Sequence, residues 1–302
     1  MSREQRTRVD ALLRHPAPEG PRSIEERRAG FAALMARMRV PDDIVTAPTS
    51  LGGLPALRVD PADGPRGAAT ILYLHGGSWL MGSPETALSL TGALVSATGL
   101  RAYSLDYRLA PEHPFPAAIE DTVTAYRALL DAGTEPGAIV FAGDSAGGGL
   151  TVTGCFAARD AGLPLPAALL AFSPGLDAAG TGASRRSRAA ADPFLTHEGL
   201  QANSVLYRAG ADPDQPLLSP AVHGDLTGFP PMLLQSGTHE ILLDDATRLA
   251  SRAREAGVDV VLDVVADVPH VFQAFRGELD EADEALERAA LFVRQRVRGF
   301  GG

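Results

Sequence analysis

Short apolar runs alternate along this chain with stretches whose apolar positions recur every three to four residues. The runs cover 69–75, 100–106, 138–143, 168–173, 232–237 and 258–265 and are rich in Val, Ile, Leu and aromatic residues. Their near-continuous apolar character predicts strands buried on both faces, as in a parallel sheet with helices above and below. Helical spacing is clear over 116–130, where Pro116 suits a first turn, and again over 244–256 and 280–298. Strand followed by helix, repeated, predicts an α/β fold with right-handed crossovers. Ahead of these, 44–60 carries LGGL at 51–54, a hairpin signal that would add antiparallel strands at one edge.

Two regions break the alternation. Residues 1–40 read as arginine-rich amphipathic helix, interrupted by HPAPEGP at 15–21. Residues 175–220 hold Gly, Ala and Arg clusters and then a helix over 196–207. Segments of that length outside the main pattern often serve as lids. Both are expected to fold over the carboxyl ends of the strands, where an open α/β sheet binds ligands; the alternative is peripheral decoration. The chain thus divides into an N-terminal cap segment (1–40), a catalytic domain (41–174 and 221–302) and a cap insertion (175–220).

Charge and cysteine content remove several function classes. With 27 basic against 37 acidic residues the net charge is −10, which argues against a nucleic-acid or anionic-membrane partner. The single cysteine, Cys155, permits no intrachain disulfide and no cysteine-rich metal site, and reads as a small buried hydrophobe. No apolar run approaches the ~20 residues that span a bilayer. The charged N-terminus lacks the apolar core of a signal peptide, so a cytoplasmic protein is expected.

The candidate chemistry begins at GDSAGG, 143–148, where a strand gives way to a helix. A serine between glycines at such a turn is either an ordinary βα connection or a nucleophile elbow, whose strain lifts the hydroxyl clear of the backbone. The other parts of a catalytic site would decide. HGGSW at 75–79 follows the strand 69–74. Its Gly76 and Gly77, with Ala146 after the serine, could aim backbone N–H groups at a developing oxyanion. His75, at the strand end, reads as a brace for that loop. His270 follows the last apolar run on a loop from which an imidazole could cross the sheet, unlike His15, His113, His197, His223 and His239, which lie in polar or proline-rich settings. Beyond strand 232–237, Glu240 is the first carboxylate and the expected orienting acid, with Asp244 the alternative. Substrate contacts are expected from Ser78, Trp79, Asp144 and Tyr207. The order Ser145, Glu240, His270 is that of the α/β-hydrolase fold.

With these parts in view the sequence resembles the hormone-sensitive-lipase-like esterases, bacterial family IV. The likeness rests on HGGSW against an HGGGW-type loop, on YRLAPEHPFPA at 107–117, and on the GDSAGG elbow. It runs from about residue 40 to the C-terminus. The resemblance implies a mostly parallel sheet flanked by helices, a helical cap over the site, and serine carboxylesterase activity on short- to medium-chain acyl esters. It implies Ser145 as nucleophile, His270 as base, and Gly76, Gly77 and Ala146 as the oxyanion hole, with no metal or cofactor. Members often pair through the last strand, here 258–265, which implies a homodimer. Three positions depart from the family: Ser78 for the third glycine, Glu240 for an aspartate, and Val271 for the glycine after the histidine. A lactone, carbamate or amide hydrolase using the same residues, or a silent ligand-binding scaffold, are the other readings.

Overall fold

The structure is a computed structural model that describes residues 2–14 and 22–298; the interruption expected at 15–21, with His15, lies outside the described residues. Within the described residues eight strands form one sheet: β1 (Ile44–Leu51), β2 (Leu54–Pro61), β3 (Thr70–Leu74), β4 (Arg101–Leu105), β5 (Ile139–Asp144), β6 (Ala168–Phe172), β7 (Met232–His239) and β8 (Val260–Pro269). Among the described residues ten α-helices accompany them: α1 (Ser2–Leu13), α2 (Ile24–Met35), α3 (Leu88–Thr98), α4 (Ala117–Asp131), α5 (Ala146–Asp160), α6 (Ser184–Ser187), α7 (His197–Arg208), α8 (Pro220–His223), α9 (Leu243–Glu255) and α10 (Asp280–Arg296). The strands lie in the order β1-β2-β4-β3-β5-β6-β7-β8. The LGGL hairpin joins β1 to β2, both antiparallel to what they touch, and every pairing from β4 to β8 is parallel.

The apolar runs fill two cores, one on each face. Ile71, Tyr73, Val140, Ala142, Leu170 and Phe172 pack with α3 and α10. Their neighbours Leu72, Leu74, Ile139, Phe141, Leu169 and Ala171 pack with α4, α5 and α9. Period-two geometry therefore persists beneath a sequence that shows no alternation, because both faces are covered.

The expectation of two buried faces fails for the last strand. β8 is a sheet edge, and Val261, Leu262 and Val264 are exposed. It also extends through Asp263 and Asp267 to Pro269, past the apolar run, so that His270 follows it directly. α3 had no helical signature because Ser89 to Val95 are buried on every side, leaving no polar stripe to set a period.

Candidate active site

The elbow forms where β5 runs into α5. Ser145 sits there at φ 53°, ψ −116°, a strained conformation of the kind that persists only when its surroundings enforce it. The flanking glycines are required by close approach: a Cβ on Gly147 would lie 1.9 Å from the Leu74 carbonyl oxygen, and one on Gly143 would lie 2.6 Å from Gly147 backbone. The Ser145 N–H donates to the Phe172 carbonyl at 2.8 Å, while the Ser145 carbonyl accepts from Gly149 and Gly175 N–H groups. The turn is thus tied to β6 as well as to its own helix.

The three expected side chains meet. Ser145 Oγ lies 2.9 Å from His270 Nε2, and His270 Nδ1 lies 2.7 Å from Glu240 Oε2. Glu240 is fully buried, and its other oxygen accepts from the Gly237 N–H at 2.7 Å and the Ser173 hydroxyl at 3.0 Å. A buried carboxylate satisfied in this way fixes the proton of the imidazole on Nδ1 and leaves Nε2 to accept from the serine. Ser173 also accepts the Val271 N–H at 2.9 Å, so one hydroxyl links the acid to the histidine loop. Asp244 is elsewhere engaged: its carboxylate accepts the Ser184 N–H at 2.9 Å, holding the segment before α7 against α9.

The loop after β3 is braced from below. His75 is fully buried, its Nδ1 lies 2.8 Å from the Gly76 carbonyl, and its ring stacks on Tyr107 at 4.1 Å. Burial holds the His75 pKa down at about 4, so the ring is neutral and its Nδ1–H donates to that carbonyl. Tyr107 donates its hydroxyl to the His75 carbonyl at 2.7 Å, and the Ala110 N–H donates to the Trp79 carbonyl at 2.9 Å. The YRLAPE segment is therefore the scaffold of the HGGSW loop. Ser78 and Trp79 both adopt φ 58°, the left-handed region, which accounts for a third glycine in the related motif.

Gly76 departs from its expected role. Its N–H donates to Asp144 Oδ1 at 3.1 Å, and that same oxygen accepts the Tyr73 hydroxyl at 2.9 Å. Burial pushes the Asp144 pKa up to about 6. Asp144 is thus a clamp on the loop, while no bond to another described residue occupies the N–H groups of Gly77, Ser78 and Ala146. Sequence reasoning missed this exchange because it depends on the parallel register that sets Leu74 opposite Gly143.

Two hollows open at Ser145. The larger, of about 500 Å³, is walled by Phe31, Leu34 and Met35 of α2, by Met81, and by Phe194 and Leu200. The smaller, of about 40 Å³, lies against Trp79, Ala146, Gly175 and Leu242. Ser78 and Leu200 border both. Tyr207 lines neither; it is buried and stacks on Trp79 at 4.4 Å, so it supports that ring from behind. Phe194, Leu200 and Met81 were not singled out in the sequence, since nothing local marks a residue as facing a cavity. Among the described residues no His, Cys, Asp or Glu cluster is arranged to hold a metal ion, and no helix is long and apolar enough to cross a membrane.

A strained serine at a strand–helix elbow, a histidine after the last strand and a carboxylate after β7 define an α/β hydrolase. A family model described as the alpha/beta hydrolase fold matches residues 71–274. An acetyl-hydrolase of Streptomyces hygroscopicus is 46% identical over 254 residues, covering 84% of this chain and 83% of that one. A carboxylesterase of Mycobacterium tuberculosis is 30% identical, covering 90% and 82%. A crystal structure of an esterase from the bacterial hormone-sensitive lipase family superposes with a TM-score of 0.94 at 41% identity, over 98% of this chain and 99% of that one. The chain belongs to the α/β-hydrolase family, among its hormone-sensitive-lipase-like esterases, and is an ester hydrolase.

Proposed function

We propose that the protein is a serine carboxylesterase that cleaves short- to medium-chain acyl esters through an acyl-enzyme. Ser145 attacks the ester carbonyl as its proton passes to His270, which Glu240 orients and stabilises as imidazolium. His270 then protonates the departing alcohol, and water activated by the same ring releases the acid. The N–H groups of Gly77, Ser78 and Ala146 receive the oxyanion, each typically worth about 3 kcal/mol of transition-state stabilisation. Gly76, committed to Asp144, orients that loop from behind. Helices α1, α2 and α7 act as the cap, with Arg28 of α2 donating to the Leu80 and Ala110 carbonyls and paired with Glu112.

The observation that carries this reading is the unbroken line from buried Glu240 through His270 to Ser145, at 2.7 and 2.9 Å, opening on a cavity with mainly apolar walls. The likeness to a relative named acetyl-hydrolase supports a short acyl group. Initial rates on p-nitrophenyl esters of increasing acyl length test it. The wild type should show a short-chain optimum that disappears in Ser145→Ala; equal rates for the two proteins on every ester would overturn the assignment.

A further inference from the structure

The two hollows at Ser145 differ more than tenfold in volume, about 500 Å³ against about 40 Å³. Which half of an ester enters which hollow is fixed by proton transfer. In the tetrahedral intermediate the carbonyl carbon holds the serine oxygen, the oxyanion, the leaving oxygen and the acyl carbon. His270 Nε2 must reach the leaving oxygen to protonate it, so the alcohol half lies on the histidine's side. His270 and its neighbour Val271 wall the large hollow and take no part in the small one, which is lined by Trp79, Ala146 and Gly175. With less than a tenth of the room of the large hollow, the small one suits the shorter half of the ester, a small acyl group. The large one has the size of a typical small-molecule site, and three methionines, Met35, Met38 and Met81, line it, with flexible side chains that adapt to varied shapes.

We propose that this enzyme is selective for esters joining an acetyl-sized acyl group to a long or bulky apolar alcohol, Trp79 and Leu200 limiting the acyl side. The proposal rests on the serine-esterase reading above. In the reaction, Ser145 Oγ bonds to the carbonyl carbon and its proton moves to Nε2. The bond to the alcohol oxygen then breaks, the electron pair leaving with oxygen, which takes up that proton. Water repeats the sequence, freeing a small acid and restoring the serine. The alcohol departs from the larger hollow under α2 and α7.

Hexyl acetate and ethyl hexanoate provide the test, since they are isomers with the same atoms on opposite sides of the ester bond. The wild type should hydrolyse hexyl acetate with a kcat/KM at least tenfold higher. Leu200→Ala should narrow that ratio by admitting the longer acyl chain. Gly30→Leu should narrow it from the other side, since Gly30 lines the large hollow and a Cβ there meets nothing nearer than 3.9 Å, leaving room for a larger wall. Equal rates on the isomers, or preference for ethyl hexanoate, would overturn the proposal while leaving the esterase reading intact. Failure to hydrolyse hexyl acetate by an enzyme whose Ser145 reacts with a fluorophosphonate would also overturn it. An unreactive Ser145 with no turnover of either isomer would remove the esterase reading itself.

Discussion

His75, on the loop after β3, and His270, on the loop after β8, are both withdrawn from solvent, at 0% and 5% exposure. Only His270 faces a carboxylate. His75 has a carbonyl oxygen at Nδ1, a tyrosine ring across its face, and no partner for Nε2 among the described residues. Burial outweighs what the Gly76 carbonyl and the more distant Glu85 charge offer a positive ring, and His75 stays neutral as a spacer under the loop. His270 has Glu240 behind it and the Ser145 hydroxyl in front. The same ring, almost as buried, is arranged to serve as the proposed base, since the fold gives it a carboxylate neighbour and a hydroxyl donor. Two buried carboxylates divide in the same manner: Glu240 contacts an ionisable ring, whereas Asp144 holds the Gly76 N–H and the Tyr73 hydroxyl.

Replacing each histidine breaks the comparison most severely. His270→Ala should lower kcat by about 10⁴-fold or more, whereas His75→Gln, which loosens the loop without touching the proton path, should cost about 10- to 100-fold. Steady-state kinetics on one ester separates these outcomes, and a comparable loss in both variants would contradict the division of roles. Next in size is the acid. Glu240→Gln should lower kcat by about 10⁴-fold because the ring loses its orienting charge. Asp244→Asn should leave kcat within tenfold of wild type.

A smaller effect is expected on stability against pH. His75 has a folded pKa near 4, below its ordinary 6.5, so the unfolded chain binds more protons between those values. The His75 contribution therefore stabilises the fold above pH 6.5 and is lost as pH falls toward 4. Thermal melts over that range should show a shallower acid loss in His75→Gln than in wild type. The least effect should come from Ser78→Gly, which relieves a left-handed serine at some cost in chain entropy. A gain below about 1 kcal/mol is expected, read as a small rise in Tm.

Much of this site is legible in the sequence, because Ser145, Glu240 and His270 each follow directly on a strand of their own and their order is distinctive. Glu240 and Asp244 could be ranked but not separated by sequence. What separates them is a contact about sixty residues away in the chain, where Ser184 takes up Asp244. The engagement of the Gly76 N–H by Asp144 was illegible for a similar reason, since it turns on Asp144 lying across a parallel register from the loop. Helix α3 and the reach of β8 were missed because periodicity reports how an element is covered, and these two are covered on all sides or on too few. The unequal hollows needed α2 and α7 in position, and no local pattern encodes that.

Activation of Ser145 by His270 and Glu240 is the central claim, and a fluorophosphonate probe measures it without choosing a substrate. Mass analysis of digests should place one adduct on Ser145 in the wild type, formed at least 100-fold more slowly in His270→Ala and Glu240→Gln. Equally fast labelling in those variants, or an adduct on another residue, would contradict it.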